Sequence, residues 1–169
     1  MKGMRNGTIL VILAAMAVFI VGCLQTKIIE KVGIILAEGI DLLPQGRLLG
    51  TSVLYRIDPE AKEKTNVIVS TAKTSQGLRE AMNAESVKPL VTGQIRLMIF
   101  GNQLAKKGIF SQVDMLLRDP QIGSGVYLSV ASGQSNDILT RKNPEVSNIG
   151  KYLSLLIQHN VTNRLQILP

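Results

Sequence analysis

The sequence predicts an α/β fold, with α+β as the alternative class, in which a mixed β-sheet flanked by helices forms one compact domain. Short apolar or alternating stretches typical of strands are separated by segments with helical spacing. The strand, helix, strand order over residues 95–131 has the length of a right-handed crossover, so part of the sheet should be parallel. The 146 residues that follow position 23 suit a single domain with its own core.

The first 22 residues have a different composition from this domain. Lys2 and Arg5 precede an uncharged apolar run of 13 residues at positions 9–21. A helix of that length spans about 20 Å, less than the roughly 30 Å of a bilayer core, so a secretory signal peptide fits better than a membrane-spanning helix. We therefore expect residues 1–22 to be a lipoprotein signal peptide and residues 23–169 to be the domain. An uncleaved signal anchor is the alternative.

The only cysteine of the chain directly follows this run. Ile20, Val21 and Gly22 stand immediately before Cys23, which is the pattern of a lipobox. The cysteine sulfur accepts a diacylglycerol group, and the small Gly22 allows a signal peptidase to cleave the Gly22–Cys23 bond. Two acyl chains anchor a protein much more firmly than one. The sequence thus predicts lipid attachment at Cys23, and an ordinary buried cysteine is the alternative.

The first elements of the domain are expected to form a hairpin and its extension. Residues 32–37 read as a buried strand that ends at Gly39-Ile40-Asp41, and Pro44-Gln45-Gly46 supplies the turn. The return strand covers about residues 48–57, and residues 66–70 extend the sheet. Thr74 or Ser75 is expected to cap the helix that follows, which ends before Pro89.

The middle of the chain is predicted to form the strand, helix, strand crossover. Residues 95–100 alternate as a strand, Asn102 is the expected cap of a short helix through Lys107, and Gly108 ends that helix. A second helix over residues 111–117 pairs Asp114 with Arg118 and stops at Asp119-Pro120. Residues 126–131 form the next strand.

The last predicted element is a helix from Ser147, as its cap, to about His159. Its covering face holds four residues, Ile149, Tyr152, Leu153 and Leu156. We expect this helix to cover the sheet.

The charge pattern does not indicate a nucleic-acid partner. Without the two basic residues of the signal peptide, 17 basic side chains remain against 12 acidic ones. These charges are interspersed and aromatic residues are scarce, whereas a nucleic-acid surface shows a basic stripe with stacking aromatics. Attraction to anionic lipid headgroups or to acidic partner loops accounts for the charge, as does a solvated surface.

Few residues are suited to catalysis or to metal binding. His159 is the only histidine, and at a helix end it suits the helix dipole better than a catalytic triad. With one histidine and one cysteine, no zinc site of the usual kind is expected, and no cofactor is implied. Gly123-Ser124-Gly125 precedes a strand rather than a helix, so it reads as a turn and not as a phosphate loop.

Two pairs of carboxylates are candidates for acid–base chemistry. They are Glu38 with Asp41 and Asp114 with Asp119. Because solvated surface acids have the same appearance in a sequence, neither pair by itself indicates catalysis. With only one histidine and one cysteine in the chain, we therefore expect a protein that is not an enzyme.

Three segments carry a resemblance to a known family. They cover residues 99–109 (IFGNQLAKKGI), 116–122 (LLRDPQI) and 127–133 (YLSVASG). The chain resembles the N-terminal domain of Ger(x)C spore germination lipoproteins, which also have Gly-Ile-Asp after the first strand and a lipobox at the position of Cys23. The matching motif residues are Gly39, Asp41, Lys107, Gly108, Arg118, Asp119 and Pro120, and Arg118-Asp119-Pro120 is the most specific part.

The chain departs from the family in two respects. The family commonly has a tryptophan and an acid just after the lipidated cysteine, where this chain has Leu24-Gln25-Thr26. Family members are also considerably longer and have further domains. Residues 23–169 are therefore expected to be a truncated form.

The resemblance implies a non-enzymatic, lipid-anchored C subunit of a nutrient germinant receptor, required for receptor assembly and germination. It places the chain on the outer face of the spore inner membrane, beside integral membrane A and B subunits. It implies no catalytic residue. Two other classes remain open: a solute-binding lipoprotein of a transporter and a membrane-tethered hydrolase.

Overall fold

A computed structural model describes residues 31–56 and 65–165, with side chains as far as Asn163. Its strands are β1 (Gly33–Leu42), β2 (Leu48–Tyr55), β3 (Thr65–Ala72), β4 (Leu90–Val91), β5 (Leu97–Phe100) and β6 (Tyr127–Val130). Its helices are α1 (Ser75–Glu85), α2 (Asn102–Lys107), α3 (Phe110–Arg118), α4 (Ser135–Leu139) and α5 (Ile149–Leu165). The expected signal peptide and Cys23 lie outside the described residues.

The strands form one mixed sheet in the order β3-β2-β1-β5-β6, with β4 also paired to β1. The β1–β2 and β2–β3 pairs are antiparallel. β1 runs parallel to β4 and to β5, and β5 runs parallel to β6. The predicted α/β class, the hairpin and the parallel crossover are confirmed, and β1 is the central strand.

Helices cover both faces of the sheet and enclose two separate cores. On the face that we call the α1 face, α1, α2 and α3 pack over the larger core, which includes Ile40, Leu78, Met98, Phe100 and Leu116. On the opposite face, the α5 face, α4 and α5 pack over a smaller core that includes Ala37, Val53, Leu97, Ile99 and Leu139. Alternation along β1 and β5 sends neighbouring side chains to opposite cores.

β1 is longer than its sequence predicts. The expected end at Gly39-Ile40-Asp41 is wrong, because Gly39, Ile40 and Asp41 pair with residues of β2, and the strand continues to Leu42. A register shift between Ile35 and Ala37 marks a β-bulge. The predicted turn is confirmed: Gln45 and Gly46 both have positive φ, at 64° and 75°.

Three helix caps test the predicted boundaries. Thr74 caps α1 as expected, since its hydroxyl accepts a hydrogen bond from the Gly77 N–H at 3.1 Å. The other two predicted caps are wrong. Gly101 occupies the N-cap of α2, and Asn102 instead donates to the Ser132 carbonyl at 3.0 Å. Asn148, not Ser147, accepts the Lys151 N–H at the start of α5, at 2.9 Å.

α5 is longer than expected and presents a different face to the sheet. Ile149, Leu153 and Ile157 pack against the smaller core. The predicted members Tyr152 and Leu156 are 48% and 45% exposed, so that part of the prediction is wrong. Apolar residues occur on more than one side of α5, and its spacing alone therefore does not identify the packed side.

Candidate functional site

The Gly39-Ile40-Asp41 segment holds the start of α4 on the α5 face. Asp41 is 2% exposed. Its Oδ1 accepts a hydrogen bond from the Ser135 N–H at 2.7 Å, and its Oδ2 accepts from the Ser135 hydroxyl at 2.8 Å and the Asn136 N–H at 2.9 Å. We call this arrangement the Asp41 lock. It satisfies amide groups that the first turn of a helix otherwise leaves without partners.

Two glycines make room for the Asp41 lock. A Cβ atom at Gly39 would lie 2.6 Å from the Ser135 hydroxyl oxygen, and a Cβ atom at Gly101 would lie 1.9 Å from Asp41 Oδ1. Asn136 extends the network by donating to the Thr51 hydroxyl at 2.8 Å. Gly39 is therefore a close-approach residue within a strand and not a strand terminator.

The other motif residues lie at helix ends. Gly108 ends α2 with a φ of 110°, and its N–H donates to the Leu104 carbonyl at 3.0 Å. Lys107 is exposed in the last turn of α2. Arg118 pairs with Asp114 at 2.9 Å, as predicted, and its side chain is 79% exposed. Gly108 thus terminates α2, and Lys107 and Arg118 remain accessible.

Asp119 connects three parts of the α1 face. Its Oδ2 lies 2.5 Å from Arg79 Nη1 of α1 and accepts a hydrogen bond from the Thr92 hydroxyl at 3.4 Å. Its Oδ1 accepts from the Gln121 N–H at 2.9 Å. As expected, α3 stops at Asp119, and Pro120 is exposed beyond it. Asp119 thus ties the end of α3 to α1 and to the β4–β5 loop.

A cavity of about 310 Å³ lies beside this ion pair, between β1 and α1. Glu38, Arg79, Asp119 and Thr92 line it, together with apolar Ile35 and Met82. Burial raises the pKa of the Glu38 carboxyl from 4.5 to about 7, and the charge of Arg79 partly opposes that rise. Glu38 therefore exchanges its proton near neutral pH.

The predicted carboxylate pairs do not converge on a common site. Alternation along β1 places Glu38 against α1 and Asp41 against α4, on opposite faces of the sheet. Asp114 and Asp119 belong to separate ion pairs, with Arg118 and with Arg79. Neither pair has the shared geometry that acid–base catalysis by two carboxylates requires.

His159 lies within α5 and not at its end, because the helix continues to Leu165. The side chain is exposed, and the only described contact of its ring is with the Asn163 side chain, at 3.1 Å from Nε2. Gly123-Ser124-Gly125 lies in the loop between α3 and β6, as predicted. Within residues 31–56 and 65–163, no three histidine, cysteine or acidic side chains are grouped to hold a metal ion.

A concave surface lies on the α5 face, which α5 covers only in part. We call it the α5 groove: about 1150 Å³, with Ile34, Leu36, Tyr55, Val91, Tyr127 and Leu155 as its main apolar lining. Arg96 and Lys151 supply its charged groups. No motif in the sequence indicates this groove, because it depends on where α5 crosses the sheet.

Sequence reasoning also missed the partners of the two motif carboxylates. Ser135 and Asn136 are 94 and 95 positions from Asp41, and Arg79 is 40 positions from Asp119. The one local signal was the Ser135-Asn136-Asp137 sequence, which is typical of a helix start.

The predicted lipid and cleavage residues, Cys23 and Gly22, lie outside the described residues. No described helix has the length and apolar character needed to cross a bilayer.

Comparison with known proteins connects this domain to spore germination. The sequence profile of the family described as "Spore germination protein N-terminal domain" matches residues 25–168. The chain is also 26% identical over 151 residues to the spore germination protein GerQC of Bacillus cereus, covering 89% of this chain and 42% of that protein. The chain thus spans less than half the length of this curated relative. No solved structure matches it significantly. The matched span includes the whole described domain, and the chain belongs to the Ger(x)C family of spore germination proteins.

Proposed function

We propose that this chain is the non-enzymatic C subunit of a spore nutrient germinant receptor, held on the outer face of the spore inner membrane by a lipid on Cys23. Residues 1–22 serve as its signal peptide and residues 23–169 as its N-terminal domain. Its partners are the integral membrane A and B subunits. The observation that carries this proposal is the family match over residues 25–168, which begins two positions after Cys23.

The arrangement of the motif residues supports a scaffolding role. Asp41 is occupied in hydrogen bonds that hold α4 to β1, and Asp119 is occupied in contacts that join α3 to α1 and to the β4–β5 loop. The candidate carboxylate pairs are separated, and the sole histidine is exposed on α5. Lys107 and Arg118, by contrast, remain accessible for contacts with partner subunits. The motif therefore builds a rigid domain rather than a reactive centre.

The chain length between Cys23 and the domain supports a position close to the membrane. Ten positions separate Cys23 from Gly33, the first residue of β1. At about 3.5 Å per residue, a fully extended segment reaches about 35 Å. A lipid on Cys23 would therefore keep the start of β1 within that distance of the bilayer surface.

Metabolic labelling with palmitate tests the anchor. The wild-type chain should become labelled and fractionate with membranes, and Cys23→Ser should lose both properties, since the chain has no other cysteine. Immunoblotting controls for the amount of each protein. Label on Cys23→Ser, or an unlabelled wild type, would refute lipid attachment.

Deletion of the gene tests the receptor role. Spores without the gene should fail to germinate with at least one nutrient yet still respond to a germinant that bypasses nutrient receptors. Wild-type complementation should restore the response, whereas Cys23→Ser should restore it poorly. Normal germination of the deletion strain with every nutrient would contradict the proposal.

A further inference from the structure

The α5 groove exposes apolar side chains of a central strand. β1 is paired on both edges, by β2 and by β4 and β5, so its side chains are normally covered on both faces. Ile34 and Leu36 nevertheless line an open groove and are only half-buried. Leu155 of α5 forms part of the opposite wall and is 54% exposed. An apolar surface of this size beside a central strand is typical of a binding site.

The charges at the groove are of one sign. Arg96 and Lys151 line it, and none of the described residues that line it is acidic. Neither side chain forms an ion pair with a described carboxylate, and Arg96 has only a long 3.5 Å hydrogen bond to the Gln94 side chain. An apolar surface with two cations that lack a described carboxylate partner is complementary to an amphiphile that has an apolar tail and an anionic head.

The groove lies at the end of the domain nearest the proposed anchor. Val32, just before β1, and Ile34, the second residue of β1, line it. If Cys23 carries a lipid, these residues lie within about 35 Å of the bilayer surface. A membrane lipid is therefore present close to the groove at high local concentration.

We propose that the α5 groove binds an anionic membrane phospholipid, with its acyl chain against Ile34, Leu36 and Leu155 and its phosphate between Arg96 and Lys151. This inference rests on the proposed membrane location of the chain. Its consequence is that the domain is oriented on the membrane as well as tethered to it. The lipid composition of the membrane would then influence how the domain meets its partner subunits.

Photocrosslinking in nanodiscs tests this inference on the full-length chain. A benzophenone amino acid replaces Leu155, which lines the groove, or Leu156, the neighbouring exposed residue that does not line it. The nanodiscs contain phosphatidylcholine with or without phosphatidylglycerol. Mass spectrometry should find a phosphatidylglycerol adduct at position 155 in several-fold excess over position 156 and over the phosphatidylcholine adduct.

Two charge variants separate groove binding from general attraction to the membrane. Arg96→Gln combined with Lys151→Gln should lower the phosphatidylglycerol adduct at position 155 about tenfold. The matched control, Arg141→Gln with Lys142→Gln, removes the same charge from exposed residues outside the groove and should leave the adduct unchanged. Circular dichroism verifies that both double variants are folded.

Several outcomes would overturn the inference. Equal adducts at positions 155 and 156, equal adducts with the two lipids, or an adduct that survives loss of Arg96 and Lys151 would each do so. A crosslink from position 155 to residues 24–30 would show that the chain itself fills the groove.

The same crosslinking measurement on Cys23→Ser, mixed with phosphatidylglycerol vesicles, tests lipid binding by the groove in a chain that cannot carry a lipid at Cys23. A lipid adduct at position 155 without palmitate labelling of the wild type would retain the groove and reject the anchor. Palmitate labelling of the wild type without a lipid adduct at position 155 would support the anchor and reject lipid binding in the groove.

Discussion

The two faces of the sheet differ in how completely helices cover them. On the α1 face three helices enclose a cluster of twelve buried apolar residues, whereas on the α5 face two helices enclose only six and leave the α5 groove open. Because stabilisation scales with buried apolar area, the α1 face should contribute most of the folding free energy. The α5 face depends more on the polar Asp41 lock. One face thus supplies most of the apolar packing, while the other leaves apolar side chains at an open groove.

The largest expected effect is a cavity on the α1 face. Leu78→Ala removes a fully buried side chain and should lower the free energy of unfolding by about 4 kcal/mol. Leu139→Ala, its counterpart on the α5 face, should cost about 2 kcal/mol, because the smaller core beside an open groove relaxes more easily. Urea unfolding measures both values. Equal or reversed costs would contradict the assigned difference between the faces.

Loss of the Asp41 lock should have the next largest effect. Asp41→Ala leaves the Ser135 N–H, the Asn136 N–H and the Ser135 hydroxyl without their acceptor, and should cost about 3 kcal/mol. Hydrogen exchange should show α4 losing protection before the rest of the sheet. Asp137→Ala, at an exposed position in the same helix, is the control and should cost about 0.5 kcal/mol. Similar costs for the two variants would refute the lock.

Glu38 should make stability depend on pH on the α1 face. Because burial raises its pKa from 4.5 to about 7, the folded state binds more protons than the unfolded state between these values. The contribution of Glu38 is therefore fully present below pH 4.5, declines as pH rises and is lost above about pH 7.

Glu38→Gln should abolish this dependence and stabilise the protein above pH 7 by on the order of 2 kcal/mol, since Glu38 is only partly buried. Unfolding free energies measured from pH 4.5 to 8 test the sign. The matched comparison is Glu80→Gln, which removes one carboxyl from an exposed residue lining the same cavity. A wild-type protein that gains stability across this range relative to Glu38→Gln would contradict the pKa direction.

The smallest effects are expected on the outer side of α5. Leu156→Gln should change the free energy of unfolding by less than about 0.5 kcal/mol, because the side chain is already 45% exposed. Leu153→Gln should cost about 1 kcal/mol, because Leu153 packs against the smaller core. Thermal or urea unfolding of the two variants distinguishes them. Equal costs would mean that α5 presents a different side to the sheet.

Local chemistry was sufficient to predict most elements and several boundaries. Alternation indicated the strands, Thr74 the start of α1, Gly108 the end of α2 and Asp119-Pro120 the end of α3. Each of these signals acts within a few residues, so the sequence contains it directly. The two-residue β4 and the five-residue α4 were missed, because such short segments carry little periodic signal.

The candidate site was predicted only in part, and the reason is distance along the chain. The resemblance to the Ger(x)C family identified Gly39, Asp41 and Asp119 as motif residues, and the order and spacing of the elements predicted the class of the fold. The tertiary structure makes Ser135 the partner of Asp41 and Arg79 the partner of Asp119, and it places Gly39 inside a strand. It also decided which side of α5 packs, and so created the groove between Ile34 and Leu155. Contacts across a sheet depend on register and helix placement, which no local pattern contains.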